Sequence, residues 1–344
     1  MLLDVIIPVY NSEQYLPTLF QNLKLQTMQD FNIYLVDDCS SDKSLEIILE
    51  NQLHFKGRFY LIRNKRNMGP AMARNVALDS RKECSEFTMF IDADDVFEAD
   101  YFERMVNVAQ KYNVDMVICG IDRRDEEGRV LCREMVNNTE NVITEIAHCS
   151  TLGYMVPVLW NKLFRNSCIQ GYRFPDAARS EDTIFIYEIL PDIKSIKFIN
   201  CVLYHYIVRE NSMTGTYTEE MHNTMLSAFA DLKQIFCMNQ RYNQYEELLE
   251  VQMFIRCAIG GTYRLAFKNI KNIFRYEKNT MEYLNAVFPQ WYKNKYLCLK
   301  GIGKRSLKEN AVCVCALLYR IHLFSIFIII YWIISKVIKK DIRF

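Results

Sequence analysis

The sequence predicts an α/β fold with a mostly parallel central sheet, followed by a helical C-terminal region. Three observations support it. Short β-branched runs alternate with segments of helical periodicity through the first hundred residues. Polar clusters stand at the ends of those runs, which is where open parallel sheets bind their ligands. Beyond about Tyr217 the strand-like runs stop and the chain reads as helices.

The elements follow in order. "DVIIPVY" at 4–10 is apolar on both alternating faces, as in a strand buried within a parallel sheet. Asn11-Ser12-Glu13 is expected to open a helix in which Tyr15, Leu16, Leu19, Phe20 and Leu23 fall at helical spacing. "FNIYLVDD" is the second strand, and "SSDKSLEIILENQL" the second helix, with Ser40 or Ser41 as its N-cap. "RFYLIRN" is the third strand. "GPAMARNVALDSR" is the third helix, entered through Gly69-Pro70, and "FTMFIDADD" is the fourth strand. Gly128, after Asp125-Glu126-Glu127, marks a hairpin turn. Residues 155–215 mix both periodicities, and no internal repeat is visible.

A chain of 344 residues is long enough for one large domain with an appendage, or for two domains. The reading places a first domain at 1–215, a helical extension at 216–300 and a basic, apolar tail at 301–344. Half of the residues are apolar and 24% are charged, which suits a sizeable core. A net charge of +1 argues against a nucleic-acid partner. The twelve cysteines include no C-x-x-C pair, and the five histidines show no zinc spacing, so the cysteines read as reduced, mostly buried thiols of a cytosolic protein. The N-terminus bears Asp4 and lacks a basic n-region, unlike a secretory signal. In a cytosolic chain the sequon Asn137-Asn138-Thr139 is a chance match.

The tail is distinctive. From Leu323 to Ile334 it is almost purely apolar, with Arg320 and His322 before it and Lys336, Lys339, Lys340 and Arg343 after it. The run is shorter than the roughly 20 residues of a spanning helix. A basic, aromatic-bearing helix of this kind fits a membrane interface and anionic lipid. A buried C-terminal helix, a contact between copies in a homo-oligomer, and a marginal span over Ile321 to Ile338 are the alternatives.

Asp92, Asp94 and Asp95 end the fourth strand. Three neighbouring acids raise one another's pKa unless something positive sits among them. A hard divalent cation held through oxygens is the simplest partner. Alternation along an extended chain would point Asp92 and Asp94 to one side. A solvated turn that caps a helix is the plainer reading.

Six stretches in order, "VIIPVYNSEQYL" at 5–16, "QTMQDFNIYLVDDCSSDKS" at 26–44, "NMGPAMARNVAL" at 67–78, "FIDADD" at 90–95, "WNKLF" at 160–164 and "SEDTIF" at 180–185, resemble the family 2 glycosyltransferases of GT-A fold. The resemblance covers about residues 1–215. It implies a Rossmann-like nucleotide-diphospho-sugar transferase domain that moves a sugar, with inversion, from a nucleotide donor to an acceptor hydroxyl. The chain departs from the pattern at Cys39, where glycine is common, and at Met68 and Pro70 beside the loop glycine. Pro8, Tyr10 and Asn11 would then wall the nucleotide pocket, with Asp37 or Asp38 accepting from the uracil N–H or a ribose hydroxyl. Gly69 would let the backbone approach the donor, and Arg74 would lie near the diphosphate. Asp92, with Ala93, would face the ribose or the metal. Asp94 would bind Mn²⁺ or Mg²⁺ directly, and the metal would act as a Lewis acid at the leaving group.

The resemblance places the catalytic base at the Glu-Asp pair, where Asp182 is preferred to Glu181. Asn161 and Lys162 fall near donor or acceptor, and His205 and Arg209 are candidates for metal or diphosphate contacts. The implied partners are a nucleotide-sugar donor, UDP in the first instance, and a saccharide or lipid-linked saccharide acceptor. The implied place is the cytoplasmic side of the cell membrane, in surface or capsular polysaccharide synthesis. Two other functions compete. "IDADDV" also satisfies the Asp-x-Asp pattern of haloacid dehalogenase-type phosphatases, although nearly ninety residues of sheet precede it and no later acidic motif of that class follows. A non-catalytic sugar-nucleotide-binding subunit is the second, and the intact Asp94 and Asp182 argue against it.

Overall fold

The computed structural model describes residues 1–55, 57–135, 141–176, 180–209, 217–300, 303 and 305–338, with 335–338 as backbone alone. The sequon at 137–139, and Lys304, Lys339, Lys340 and Arg343 of the basic tail, lie outside the described residues. The chain divides into two units, Met1–Ile146 with Pro157–Ser212, and Ala147–Val156 with Met213–Phe344.

The first unit is built on one nine-stranded sheet. Its strands are β1 (Leu3–Val9), β2 (Phe31–Asp37), β3 (Phe59–Arg63), β4 (Phe87–Phe90), β5 (Val96–Phe97), β6 (Met116–Arg124), β7 (Val130–Glu134), β8 (Lys162–Arg165) and β9 (Ile196–Ile207). The order is β3-β2-β1-β4-β8-β6-β9-β5, with β7 paired to β6. Strands β3, β2, β1 and β4 are mutually parallel, as their continuous apolar runs predict. Strand β8 enters antiparallel between β4 and β6, and the long β6 and β9 run parallel. The β6–β9 register slips around Gly120, where a Cβ would stand 2.9 Å from the Cys201 carbonyl oxygen, so only glycine fits. Gly128 turns the β6–β7 hairpin as expected, with Arg129 and Asp125 closing it.

Helices α1 (Leu16–Lys24), α2 (Ser44–Asn51), α3 (Pro70–Ser80) and α4 (Tyr101–Tyr112) belong to this unit; α5 (Ser150–Tyr154) belongs to the second, and α6 (Asn166–Ile169) and α7 (Glu181–Ile189) return to the first. Helix α1 packs Leu16, Leu19, Phe20 and Leu23 into a core with Val5, Ile7, Ile33 and Leu35. Two helices start later than the sequence suggests. Asn11 takes a left-handed φ of 46°, and the Ser12 amide donates to Ser44 Oγ at 2.7 Å, so 11–13 ties two loops together instead of opening α1. The Ser41 amide is taken by Asn11 Oδ1 at 2.8 Å, and Asp42 Oδ1 accepts from the Ser44 amide, which moves the start of α2 to Ser44.

In the second unit α8 (Glu219–Met238), α9 (Tyr242–Met253), α10 (Thr262–Lys268), α11 (Ile273–Val287), α12 (Leu307–Arg320) and α13 (Phe324–Ile338) realise the helical region. The Gln252 side-chain amide donates to the carbonyls of Leu152, Gly153 and Met155, which fastens α5 to α9 across about a hundred residues of sequence. Phe254–Gly261 is a π-helical turn that runs into α10. All twelve cysteines are free thiols, but only Cys119, Cys149, Cys168, Cys257 and Cys313 are buried, which corrects the expectation that most are. Among the described residues no helix is long and apolar enough to cross a membrane.

Candidate active site

The polar clusters gather where the parallel strands end. Pro8 sits in β1 opposite Val36, and Tyr10, just past the strand, is exposed. Asn11 lies across from the turn after β2, with its amide donating to Ser40 Oγ at 3.0 Å. Cys39, the position where the chain departs from the resembled pattern, has a φ of 65°. Glycine adopts that left-handed geometry without strain, which is the physical content of the departure.

Asp37 and Asp38 are both buried, and both have partners within the protein. Asp37 accepts from the Ser40 amide at 3.0 Å and pairs with Arg63 Nε at 3.2 Å. Asp38 accepts from Asn64 Nδ2 at 2.7 Å and from the backbone amides of Met68 and Gly69, the latter at 2.7 Å. Asp38 is therefore a clamp on the loop that enters α3. Gly69 closes that loop at φ 84° with open space around its Cα, so backbone approach by a ligand is unobstructed there.

Strand β4 stops at Phe90, and residues 92–95 form a turn, so the strict alternation expected for Asp92 and Asp94 does not persist. The three acids separate into three environments. Asp92, partly exposed, pairs with Arg74 Nη2 at 2.8 Å. Asp94, also partly exposed, pairs with Arg209 Nη1 at 2.6 Å, and that guanidinium lies 4.2 Å over the Tyr15 ring. Burial and the charge of Asp92 push the Asp94 carboxyl above its ordinary range, with Arg209 opposing. Asp95 is buried and accepts from the Tyr204 hydroxyl at 3.0 Å and the Ile207 amide at 3.0 Å. Burial, then Asp94 and Asp92, raise it well above the carboxylate range. Ala93 between them is buried in the core cluster.

Arg74 joins the acidic turn to a second group of acids. It is buried on α3 and meets three carboxylates: Asp92 at 2.8 Å, Asp182 at 3.3 Å and Glu181 at 3.8 Å. The Phe174 ring lies 5.6 Å beneath it. The guanidinium thus ties the acidic turn after β4 to the start of α7. Desolvation alone would lower its pKa, but the three acids raise it.

Asp182 and Glu181 occupy the first turn of α7, which is entered through Ser180 at φ 67°. Burial is the largest influence on Asp182; Arg74 opposes it, while Glu181 and Asp92 add to it, and the carboxyl is pushed up to about 7. Lys162 is buried and hydrogen-bonded to Asn161 Oδ1 at 2.8 Å, and its charge also favours the ionised Asp182. Asn161 in turn donates to the Cys119 carbonyl at 2.9 Å, so the pair is fixed from β6.

His205 stands in a cluster of charged side chains. Its Nδ1 is 2.7 Å from Asp122 Oδ1 and its Nε2 is 2.9 Å from Glu98 Oε1, with Arg124 against both Asp122 and the ring. Both ring nitrogens are engaged within the protein, and His205 pairs across the sheet with Val96, just past the acidic turn. Sequence reasoning also missed Tyr204, whose hydroxyl joins the Asp92 amide to Asp95, and Trp160, which stacks on Tyr204 at 4.6 Å. The alternation of aromatic residues in "LYHY" was the available signal.

The donor set after β4 suits a hard divalent cation. Among the described residues no group of three or more His, Cys, Asp or Glu is arranged to hold a metal. The protein offers Asp94 and Asp92, partly exposed oxygen donors in net negative surroundings. Magnesium-type ions commonly take one or two carboxylates and complete their shell with water and substrate phosphates.

The sequence profile of glycosyl transferase family 2 matches residues 4–177. EpsH of Bacillus subtilis (strain 168), named as a glycosyltransferase, is 27% identical over 289 residues, covering 78% of this chain and 81% of its own. The solved structure of Staphylococcus aureus TarS 1–349 in complex with UDP-GlcNAc is similar at a TM-score of 0.68, with 20% identity, over 94% of this chain and 90% of that one. The mannosyltransferase PcManGT of Pyrobaculum calidifontis, solved with GDP-Man and Mn²⁺, is similar at a TM-score of 0.51, with 15% identity, over 98% of this chain and 88% of that one. At such identities the two structures speak for the fold alone. The family match removes the phosphatase reading, since the acidic turn follows the fourth strand of a transferase sheet and not the first strand of a phosphatase. The chain belongs to glycosyl transferase family 2 and is a nucleotide-sugar glycosyltransferase with the GT-A fold.

Proposed function

We propose that the protein transfers a sugar, with inversion, from a UDP-linked donor to an acceptor hydroxyl, with Asp182 as the base. The observation that carries this reading is the single buried guanidinium of Arg74, which joins Asp92 of the acidic turn to Asp182 of α7. A donor site and a base are thereby held in one ion-pair network.

An acceptor hydroxyl must lose its proton as the new bond forms, and a base poised near neutrality does this best. Asp182, at about 7, has that property. Inversion requires the base on the sugar face opposite the departing diphosphate. Glu181, more distant from Arg74, is the alternative base. Tyr10, Asn11 and Pro8 line the nucleotide side, with Asp37 beneath them. The amide edge at Gly69 and the Arg209 guanidinium serve the diphosphate. Asp92 and Ala93 face the ribose, and Lys162 and Asn161 support the base from behind.

Asp94, with Asp92, would hold Mn²⁺ or Mg²⁺, which supplies Lewis-acid stabilisation of the leaving diphosphate. The metal carried by PcManGT and the UDP-GlcNAc carried by TarS support this choice of cofactor and nucleotide. For the acceptor we infer a saccharide, lipid-linked in surface polysaccharide synthesis, which sets the enzyme peripherally at the cytoplasmic face of the membrane.

Calorimetric titration with UDP and GDP, with and without Mn²⁺, tests the donor site in wild type and Asp94→Ala. The expected result is UDP binding that needs both Mn²⁺ and Asp94. Metal-independent binding that is equal in the variant would remove the cation from the reading. Stronger binding of GDP would replace the donor nucleotide.

A further inference from the structure

Helix α13 has two apolar faces, and the protein uses only one. Phe324, Ser325 and Ile328 are buried in the second unit. The Ser325 amide donates to Glu277 Oε2 of α11 at 2.9 Å, and Phe324 packs on Tyr319 of α12 at 4.3 Å. The other face is a stripe. Leu323, Ile326, Phe327, Ile330, Ile333 and Ile334 are each 40–53% exposed. Their spacing is that of one face of a 3.6-residue helix, so they form a continuous band. A contiguous exposed apolar band of this kind marks an interaction surface.

We propose that this stripe docks on an anionic lipid bilayer, with α13 lying in the membrane plane. The proposal rests on the peripheral location given above and names the surface responsible for it. Charge decides between lipid and a second copy of the chain. From Asn310 to Lys340 the sequence contains no acidic residue, while Arg320, Lys336, Lys339 and Lys340 bracket the stripe. Two such helices brought face to face would oppose like charges. Anionic headgroups would meet opposite ones. Length and packing decide between lying on the membrane and crossing it. The 15 residues of α13 extend about 22 Å, short of the roughly 30 Å hydrocarbon core. One face is already fixed against α11 and α12, which leaves a half-immersed helix as the geometry that satisfies both sides.

The test uses the full chain and sedimentation with sucrose-loaded vesicles of phosphatidylcholine, alone or mixed with phosphatidylglycerol. Wild type is expected to sediment with the mixed vesicles, less with the neutral ones, and less again at high salt. The combined substitution Ile326→Glu, Ile330→Glu and Ile333→Glu should weaken binding by about tenfold or more, since three apolar insertions are lost and three negative charges added. Ile330→Ser with Ile333→Ser is the milder variant and should give an intermediate loss. Both keep the buried face intact, and unchanged circular dichroism and UDP binding report that they fold. Sedimentation of the folded variants equal to wild type would overturn the proposal. So would a wild-type dimer in light scattering that the substitutions dissociate while vesicle binding stays unchanged. Vesicle binding is read without turnover, so its failure is distinct from any failure of the transferase reading.

Discussion

Arg74 lies within α3 and Arg81 caps its end, seven residues on, and both guanidiniums turn toward buried or partly buried carboxylates. Each leaves a buried Nε without a partner among the described residues. Their surroundings differ in charge balance. Arg81 faces one acid, Asp4, at 3.3 Å, together with Thr88 Oγ1 at 2.8 Å and Asn166 Oδ1 at 2.9 Å. Asp4 also accepts from Ser85 Oγ, the Ser85 amide and Asn32. One cation and one anion are closed off among neutral groups. Arg74 pairs with three acids, and those acids reach solvent. A balanced buried pair fixes structure, whereas a surplus of negative charge at an open cleft is a place for a proton or a cation.

That contrast can be broken in several ways. The largest effect should come from Asp182→Asn, which removes the base and should slow transfer by about a thousandfold, within the usual range for general-base catalysis, while UDP binding stays unchanged. Near-normal turnover, followed by UDP release, would move the role to Glu181. Next is Arg81→Met, which strands the buried Asp4 and should reduce unfolding free energy by about 3–5 kcal/mol in urea titration. Arg74→Met should reduce it by less than half as much, because Asp92, Glu181 and Asp182 can take up protons or water. Equal losses would erase the distinction.

A third prediction concerns pH. Transfer should rise as pH passes through about 7, where Asp182 loses its proton. Arg74 favours the charged carboxylate, so Arg74→Met should move that rise to higher pH; an unmoved profile would show that Arg74 does not tune the base. The same group has a stability signature. Its folded-state value lies above the unfolded one, near 4, so the folded protein holds a proton that the unfolded chain has released. Its contribution to stability therefore declines as pH rises from about 4 to 7, and Asp182→Asn should flatten that part of the stability curve. The smallest effect is that of Ser85→Ala, which deletes one hydrogen bond to Asp4 and should cost about 1 kcal/mol with no change in transfer.

The parallel half of the sheet was legible because β1 and β2 are continuous apolar runs and Gly69-Pro70 starts α3 as written. The antiparallel insertion of β8 was not, since "KLFR" pairs with strands on both sides through contacts distant in sequence. Nor was the capture of residues 147–156 by Gln252. In the site, the acids and the Glu-Asp pair could be picked out by type and position. Their inequality could not. Asp92, Asp94 and Asp95 read alike in sequence, and only burial and partners from β9 or α3 separate them. Nor does the sequence tell that Arg74 meets Asp182, 108 residues away.

The clamp made by Asp38 bears on how this enzyme could be altered. Its carboxylate holds the amides of Met68 and Gly69, and those residues open the helix that carries Arg74. Substituting Asp38 would therefore loosen the entry to α3 and disturb the surroundings of Asp182 at the opposite end of the same chain of contacts. The turn after β2 and the start of α7 are mechanically linked along this route. Tyr10, in the proposed nucleotide pocket, has an exposed ring, so its substitution should disturb this lever least.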